Sequence, residues 1–336
     1  MADDSENRVW TLAQRPTGTP DDDCFELETR TIPTPAAGEA LVRARYLSVD
    51  PYMRGRMRAG ESYAEPWEVG APLQGGVVGE VAEPNGTAFE TGDLVVGNLA
   101  WADYAAAPAH ELTPVDVGDL PVSTALGALG MPGRTAYFGT REVAKPQPGD
   151  TMVVSAAAGA VGSVVGQLAK MAGARVVGTA GSEEKVEWLH DLGFDAAINY
   201  RAQDDYDAAL ADVAPEGVDV YFDNVGGPIT DAVFDHLNTD ARVAVCGQIA
   251  LYNAEERPTG PRKLGKLVET RARVEGFLVS DFSARFEAAT ADLRRWVTDG
   301  DLSYRETVTE GLERAPEAFL GLFEGENVGK QVVKVS

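Results

Sequence analysis

One stretch, residues 151–200, constrains the fold of this chain more than any other. An apolar run, Thr151-Met152-Val153-Val154-Ser155, leads into Ala156-Ala157-Ala158-Gly159-Ala160-Val161-Gly162 and then into helix-compatible sequence up to Gly173. A second β-branched run follows, Arg175-Val176-Val177-Gly178-Thr179. Strand, glycine turn, helix and strand within about thirty residues form the βαβ unit that binds dinucleotides. The turn alone is a weak signal, because Ala157 stands where the usual GxGxxG pattern opens with glycine. Its place between a strand and a helix strengthens it. Glycines let the backbone approach a pyrophosphate, and the helix N-terminus offers free N–H groups with partial positive charge. Close packing of a Gly/Ala-rich helix on a sheet is the alternative explanation.

The end of the second strand separates NAD from NADP. An NAD site places Asp or Glu there for the ribose 2′-hydroxyl. This chain has Thr179-Ala180-Gly181-Ser182-Glu183-Glu184-Lys185. Ser182 is expected to cap the next helix, with Glu183 and Glu184 well placed in its first turn. Lys185 then falls at the third helical position, where its charge opposes the helix dipole. An anion such as the 2′-phosphate of NADPH would account for it, with Tyr200 closing the same pocket. A solvated lysine paired to Glu183 is the bland alternative.

Around this unit the pattern divides. Residues before about 125 read as short strands broken by Gly and Pro, at 39–48, 76–81 and 94–96, which suits a β-barrel. From about 126 to 300, strand candidates at 151–155, 175–179, 218–222, 241–246 and 273–279 alternate with helix candidates near 161–173, 182–193, 204–213, 228–238 and 261–270. That alternation predicts an α/β fold with a doubly wound parallel sheet. An amphipathic helix is expected over 283–299 and a strand over 331–335.

Acidic residues outnumber basic ones 53 to 29, a net charge of −24, and only seven of the basic residues are lysine. Nucleic acid is excluded as a partner, since a phosphate-binding surface needs a basic face. Acid-rich, lysine-poor composition resembles that of proteins from salt-loving microbes, where molar salt screens self-repulsion; an ordinary acidic cytosolic enzyme is the alternative. Cys24 and Cys246 form no CxxC pattern and fit a reducing interior. The start, Met1-Ala2-Asp3-Asp4-Ser5-Glu6, is the opposite of a signal peptide, and no apolar run reaches 18 residues. A cytoplasmic protein without membrane association is expected.

Several longer motifs carry a resemblance. Leu47-Ser48-Val49-Asp50-Pro51-Tyr52-Met53-Arg54, Gly130-Met131-Pro132-Gly133-Arg134-Thr135-Ala136-Tyr137, Tyr221-Phe222-Asp223-Asn224-Val225-Gly226-Gly227 and Cys246-Gly247-Gln248-Ile249 with Tyr252-Asn253 occur in that order around the glycine turn. Together they resemble the zinc-independent medium-chain dehydrogenase/reductases, in the branch of prostaglandin reductase, leukotriene B4 12-hydroxydehydrogenase, alkenal double-bond reductases and curcumin reductase. The resemblance implies a GroES-like β-barrel catalytic domain (1–128 and 301–336) and a Rossmann NADP-binding domain (129–300), with NADPH in the cleft between them. It implies reduction of a C=C bond conjugated to a carbonyl, and a homodimer by analogy. It places Gly159, Ala160, Val161 and Gly162 on the pyrophosphate, and Lys185 and Tyr200 on the 2′-phosphate. Asn224, Cys246, Tyr252, Phe277, Leu278 and Val279 would lie along the cofactor, and Asn327 would reach it from the tail.

Zinc is not expected: two Cys and three His (His110, His190, His236) sit at no ligand spacing. An enone asks less of the site than an alcohol, because the developing charge is a delocalised enolate. Hydride from NADPH would reach the β-carbon while a hydroxyl steadies the carbonyl oxygen. Tyr252, just beyond a strand terminus, is the candidate, shared with a cofactor ribose hydroxyl; packing on the nicotinamide or a dimer contact is its alternative. Tyr52, Met131 and Pro132 are candidates for the substrate pocket, shaped further by loops 60–67 and 253–262. For Tyr52 a packed hinge position is the alternative. Arg54 and Arg56 are expected to pair with nearby acids; contact with an anionic substrate is the alternative. A quinone oxidoreductase, or a non-catalytic NADP-binding structural or sensor protein, is compatible with the same motifs.

Overall fold

The computed structural model describes residues 6–60, 62–256 and 258–336. Met1 to Ser5 of the acidic start, and Glu61 and Arg257 within the two expected substrate loops, lie outside the described residues. The chain forms two compact units. The first runs through Leu126 and takes back Glu306–Asn327 and Gln331–Ser336; the second holds Gly127–Arg305 and Val328–Lys330.

The first unit begins with a two-stranded antiparallel ribbon, β1 (Glu6–Leu12) and β2 (Phe25–Thr31). Next come β3 (Glu39–Ser48), the short helix α1 (Met53–Arg56), β4 (Gln74–Glu83), β5 (Leu94–Ala100), β6 (Tyr104–Pro108) and β7 (Thr113–Pro114). β3 pairs with β4 along its length and with β6 over Glu39 to Arg43. Register shifts at Leu41/Val42 and Ala44/Tyr46 bend it, the local twist that a bulge supplies.

The second unit opens with α2 (Met131–Phe138) and then builds β8 (Thr151–Val154), α3 (Gly162–Met171), β9 (Arg175–Ala180), α4 (Glu183–Asp191), β10 (Ala196–Asn199), α5 (Tyr206–Val213), β11 (Val218–Asp223), α6 (Gly227–Asp235), β12 (Leu237–Val245), α7 (Leu264–Thr270), β13 (Arg273–Gly276) and α8 (Phe286–Asp299). The sheet order is β10-β9-β8-β11-β12-β13, with every pair parallel. Numbered within the unit this is 3-2-1-4-5-6, the order of dinucleotide-binding sheets, and it puts a topological switch between β8 and β11. All four residues of β8 are buried, as a central parallel strand covered on both faces requires. In α8 the spacing of Ala289, Leu293 and Trp296 buries one stripe, and Gly300 ends the helix at φ 81°.

Two element boundaries differ from expectation. The strand expected over 273–279 stops at Gly276, and a 3₁₀ turn starts at Val279. The Asp281 carboxylate accepts the Leu278 amide at 3.3 Å, which turns the chain early. Helix α6 ends at Asp235 and Leu237 already belongs to β12.

The chain then returns to the first unit through β14 (Glu306–Glu310), α9 (Ala315–Glu324) and β15 (Lys330–Lys334). β15 lies beside β3, with Val332 opposite Ser48, and the unit's seven-stranded sheet runs β14-β15-β3-β4-β5-β7, with β6 as the seventh strand paired to β3 off that path. Its core is aromatic and packs edge to face. Phe319 of α9 sits 6.2 Å from both Phe25 and Trp101, and Trp101 lies 6.1 Å from Trp67.

Candidate active site

The switch point of the second unit assembles most of the expected cofactor residues. The glycine turn leaves β8 after Ser155. Ala156 takes a left-handed conformation (φ 47°), and the Gly159 amide bonds back to Ala156 O at 3.0 Å. A Cβ at Gly162 would fall 2.4 Å from that same oxygen, so only glycine lets α3 start here. The amides of Val161 and Gly162 open the first turn of α3. The first amides of a helix are donors suited to a pyrophosphate. The tail joins this turn, because Gly329 N donates to Ala158 O at 2.8 Å. Asn327 is two residues upstream of that contact.

At the end of β9 the Ser182 hydroxyl accepts the Lys185 amide at 3.3 Å and caps α4. Glu183 is engaged by Asn199 Nδ2 at 2.6 Å. Burial lowers the Lys185 pKa from its ordinary value, and the positive charge of Arg201 lowers it further. A Cβ on Gly181 would sit 2.9 Å from Tyr200 Oη, so the absence of a side chain at 181 brings that hydroxyl against the strand end. A lysine, a tyrosine hydroxyl and an arginine therefore converge where an NAD site would hold an acid, a donor set that fits a phosphate. Arg201 and Gly181 were not anticipated. The Tyr200-Arg201 dipeptide directly after the third strand was the available signal for Arg201.

Beyond β8, the strand ends bring Asn224, Cys246 and Tyr252 together. Asn224 follows β11 directly and its Nδ2 donates to Ser155 O at 2.7 Å. The Cys246 amide donates to Asp223 O at 2.8 Å. Burial, and secondarily Asp223, push the Cys246 thiol up to about 12, so it stays protonated and unreactive. The Tyr252 ring folds back over Gly247, and its hydroxyl accepts the Gln248 amide at 3.3 Å. Burial raises the Tyr252 pKa, the Gln248 hydrogen bond opposes this, and the charge of Asp223 adds to the rise. The phenol thus remains a donor across the neutral range. Phe277 packs edge to face on Phe222 at 6.1 Å and covers Gly139. Leu278 is exposed and Val279 begins the following turn.

Met131 and Pro132 form the first turn of α2 in this unit, Met131 exposed and Pro132 buried. Gly133 allows it, since a Cβ there would lie 1.8 Å from Ala128 O.

Tyr52 belongs to the first unit, at the start of α1. Burial, then the neighbouring Asp50, raise its pKa. Arg54 and Arg56 both reach backbone carbonyls, and the charge of Glu65 also acts on Arg56. Arg54 is buried and donates to Gly18 O at 2.6 Å. Arg56 donates to Glu65 O at 2.9 Å and Gln74 O at 3.1 Å and lies over the Trp67 ring. Burial lowers the pKa of both, that of Arg54 to about 10. Of the histidines, His236 contacts Asp207 at 2.9 Å and His110 is exposed beside Glu111.

A two-unit chain with this sheet order and this switch-point site has the architecture of a dinucleotide-binding protein. Residues 8–115 match the family described as the N-terminal domain of oxidoreductase, and residues 160–295 match zinc-binding dehydrogenase. The chain belongs to the medium-chain dehydrogenase/reductase family. It is 44% identical to the NADPH-dependent curcumin reductase of Escherichia coli, over 98% of this chain and 97% of that protein. It is also 44% identical to the NADP(+)-dependent 2-alkenal reductase of Nicotiana tabacum, over 100% and 99%. The crystal structure of CurA from Vibrio vulnificus in complex with NADPH superposes with a TM-score of 0.93 at 45% identity, covering 98% of this chain and 99% of that one. Among the described residues no cluster of three His, Cys, Asp or Glu could hold a metal, and Cys24 is buried beside Asp21. No helix among the described residues is long and apolar enough to cross a membrane.

Proposed function

We propose that this chain is an NADPH-dependent reductase of the C=C bond in α,β-unsaturated ketones and aldehydes. The observation that carries this reading is a glycine turn beside which Lys185, Tyr200 and Arg201 gather past the end of β9, where an NAD site would place an acid. The names of the two reductase relatives support the reaction class. When bound, the cofactor would supply a hydride to the carbon β to the carbonyl, and a proton from solvent would then reach the α-carbon and complete the reduction.

The chain's own residues bind, orient and hold protons. The amides of Ala160 to Gly162 take the pyrophosphate, and Lys185 and Tyr200 take the 2′-phosphate. Asn224, Cys246, Phe277, Leu278 and Val279 flank the nicotinamide half, and Asn327 serves the same cofactor. The protonated Tyr252 hydroxyl donates to the carbonyl oxygen as enolate charge develops. Tyr52, Met131 and Pro132 contact the substrate. In this reading residues 129–300 are the nucleotide-binding domain, and 1–128 with 301–336 the catalytic one.

A homodimer is supported by edge strand β13 and its neighbour α7. Val274 is 42% exposed, Leu264 75% and Val268 81%, an apolar strip beside an unpaired strand edge. Sedimentation equilibrium on Val274→Lys tests it: a variant as dimeric as the parent would refute this edge as the interface. The acid excess supports a salt-rich cytoplasm.

The deciding experiment is NADPH consumption with a panel of enals, enones and simple quinones in high KCl. Turnover of enones and enals is expected. Turnover of quinones alone would reassign the chain to quinone reduction. NADPH binding without turnover of any substrate would leave a binding protein.

A further inference from the structure

Asn224 does not set its own orientation. Ser155 lies just beyond β8 and Asp223 ends β11, and both are buried. Parallel pairing of Val154 with Phe222 brings them together. The Ser155 hydroxyl donates to Asp223 Oδ1 at 3.2 Å and accepts the Asn224 amide at 2.9 Å. Asp223 Oδ1 also accepts from Tyr221 Oη, Val225 N and Gly226 N, each at 2.9 Å, and Oδ2 accepts from Thr230 Oγ1 at 2.9 Å. A buried carboxylate is tolerated only when hydrogen bonds satisfy it, and here five donors do so. The network fixes the strand-end backbone on both sides of Asn224.

Its side chain is fixed as well. A main-chain carbonyl, Ser155 O, lies 2.7 Å from Nδ2. A carbonyl accepts and cannot donate, so the amide nitrogen must face it, and Oδ1 faces the other way as an acceptor. We infer that Ser155 and Asp223 are positioning residues that present Asn224 Oδ1 to a hydrogen-bond donor on the nicotinamide half of the cofactor, a ribose hydroxyl or the carboxamide N–H. This rests on the NADPH reading above. Asn224 stands two strands from β9, roughly 10 Å by strand spacing, so a ligand confined to Lys185 and Tyr200 does not reach it.

That separation supplies the test. Titration calorimetry compares NADPH with adenosine 2′,5′-bisphosphate, which carries the adenosine half alone. In Ser155→Ala and Asn224→Ala, NADPH affinity should fall about tenfold, the loss expected for one hydrogen bond, with affinity for the bisphosphate unchanged. Asp223→Ala should behave likewise. Asp223→Asn should rescue to within about twofold, because its new amide can donate to Thr230 Oγ1 while Oδ1 still accepts. The 3-acetylpyridine analogue of NADPH lacks the carboxamide donor. If Asn224→Ala costs nothing with that analogue, the carboxamide is the donor; if the loss persists, the ribose hydroxyl is. Equal losses for NADPH and the bisphosphate, or no loss for NADPH, would overturn the inference. Failure of the parent protein to bind NADPH would sink the cofactor reading, and this inference with it.

Discussion

The amide of Gly329 donates to the carbonyl of Ala158 at 2.8 Å, so a residue near the end of the chain is hydrogen-bonded to the turn that begins the nucleotide fold. Residues Gly159 and Gly329 also pair as an isolated parallel bridge. The tail can approach this closely because Gly329 has φ 69° and no side chain. A Cβ there would fall 2.0 Å from Arg305 O. Gly329→Ala is therefore expected to lower stability by about 2–4 kcal/mol, combining left-handed strain with overpacking. Urea unfolding measures it, and calorimetry should show weaker NADPH binding. A variant with parental stability would mean that the tail contact contributes nothing.

How far the sequence announced this arrangement depends on distance along the chain. Local signals read well: the run from Thr151 to Val154, the Ser182 cap and the stripe of α8 all follow from neighbours within a few residues. The early stop of β13 did not, because Asp281 had to be recognised as an acceptor for Leu278 N rather than as a loop acid. The ribbon strand β2 was also missed; most of its residues are exposed, so its hydrophobic contrast is weak. The Ser155–Asp223 bond joins residues 68 apart, and only the register of β8 on β11 makes them neighbours. The bonds of Arg54 and Arg56 to the carbonyls of Gly18, Glu65 and Gln74 are likewise ones that no side-chain pattern reveals.

Gly166 separates helix propensity from packing. In an exposed helix interior, replacing Gly with Ala gains up to about 1 kcal/mol. Here a Cβ would lie 1.9 Å from Phe194 Cζ, inside the fully buried face of α3. Gly166→Ala should instead cost about 1–3 kcal/mol. Gly265 of α7 is the internal control, with nothing within 4 Å of its Cβ position. Gly265→Ala should be neutral or stabilise by a few tenths of a kcal/mol. If both variants unfold at the same urea concentration as the parent, the tight fit around Gly166 is not limiting.

Lys185 predicts a pH dependence of cofactor choice. Its folded pKa lies below the ordinary 10.5 because of burial and Arg201. In the free protein this disfavours the charged form, a cost to folding present below the folded pKa and relieved as pH rises toward 10.5. A bound 2′-phosphate reverses the balance by favouring the ammonium. NADPH affinity should therefore be full at neutral pH and fall as pH rises through the alkaline range, with proton uptake on binding. Binding of NADH, which lacks that phosphate, should stay flat. Lys185→Glu should weaken NADPH by about 100-fold or more, replacing an attraction with a repulsion, and leave NADH within a few-fold. Equal effects on the two cofactors would remove Lys185 from the phosphate site.

Tyr252 is placed to act on the carbonyl oxygen rather than on the cofactor's affinity. Tyr252→Phe should reduce kcat about 10–100-fold, less than removal of a sole oxyanion donor would, because a ribose hydroxyl shares the role. NADPH affinity should not change. Burial holds the phenol's pKa above its ordinary 10, so the parental rate should show no loss from tyrosine ionisation below that pH. Rapid-mixing kinetics with an enone separates hydride transfer from product release. An unchanged transfer rate in the variant would exclude the hydroxyl from catalysis.

The charge balance predicts a response to salt whose sign can be argued. Added KCl acts in two opposing ways. It screens surface ion pairs such as Lys170–Asp195, worth about 0–1 kcal/mol, and so removes stability. It also screens the mutual repulsion of 53 acidic side chains against 29 basic ones, which restores stability. With a net charge of −24 the second effect is expected to win. The Debye length shrinks from about 10 Å at 0.1 M to about 3 Å at 1 M, so repulsion between non-adjacent acids is nearly abolished. The melting temperature should therefore rise by several degrees between 0.1 M and 2 M KCl, and activity should rise with it. Lowering the pH toward the isoelectric point of about 4.4 should blunt the salt response, because protonated carboxyls leave less repulsion to screen. A melting temperature that is flat or falls with KCl at neutral pH would show that the ion pairs outweigh the repulsion, and the salt-adapted reading would then fail.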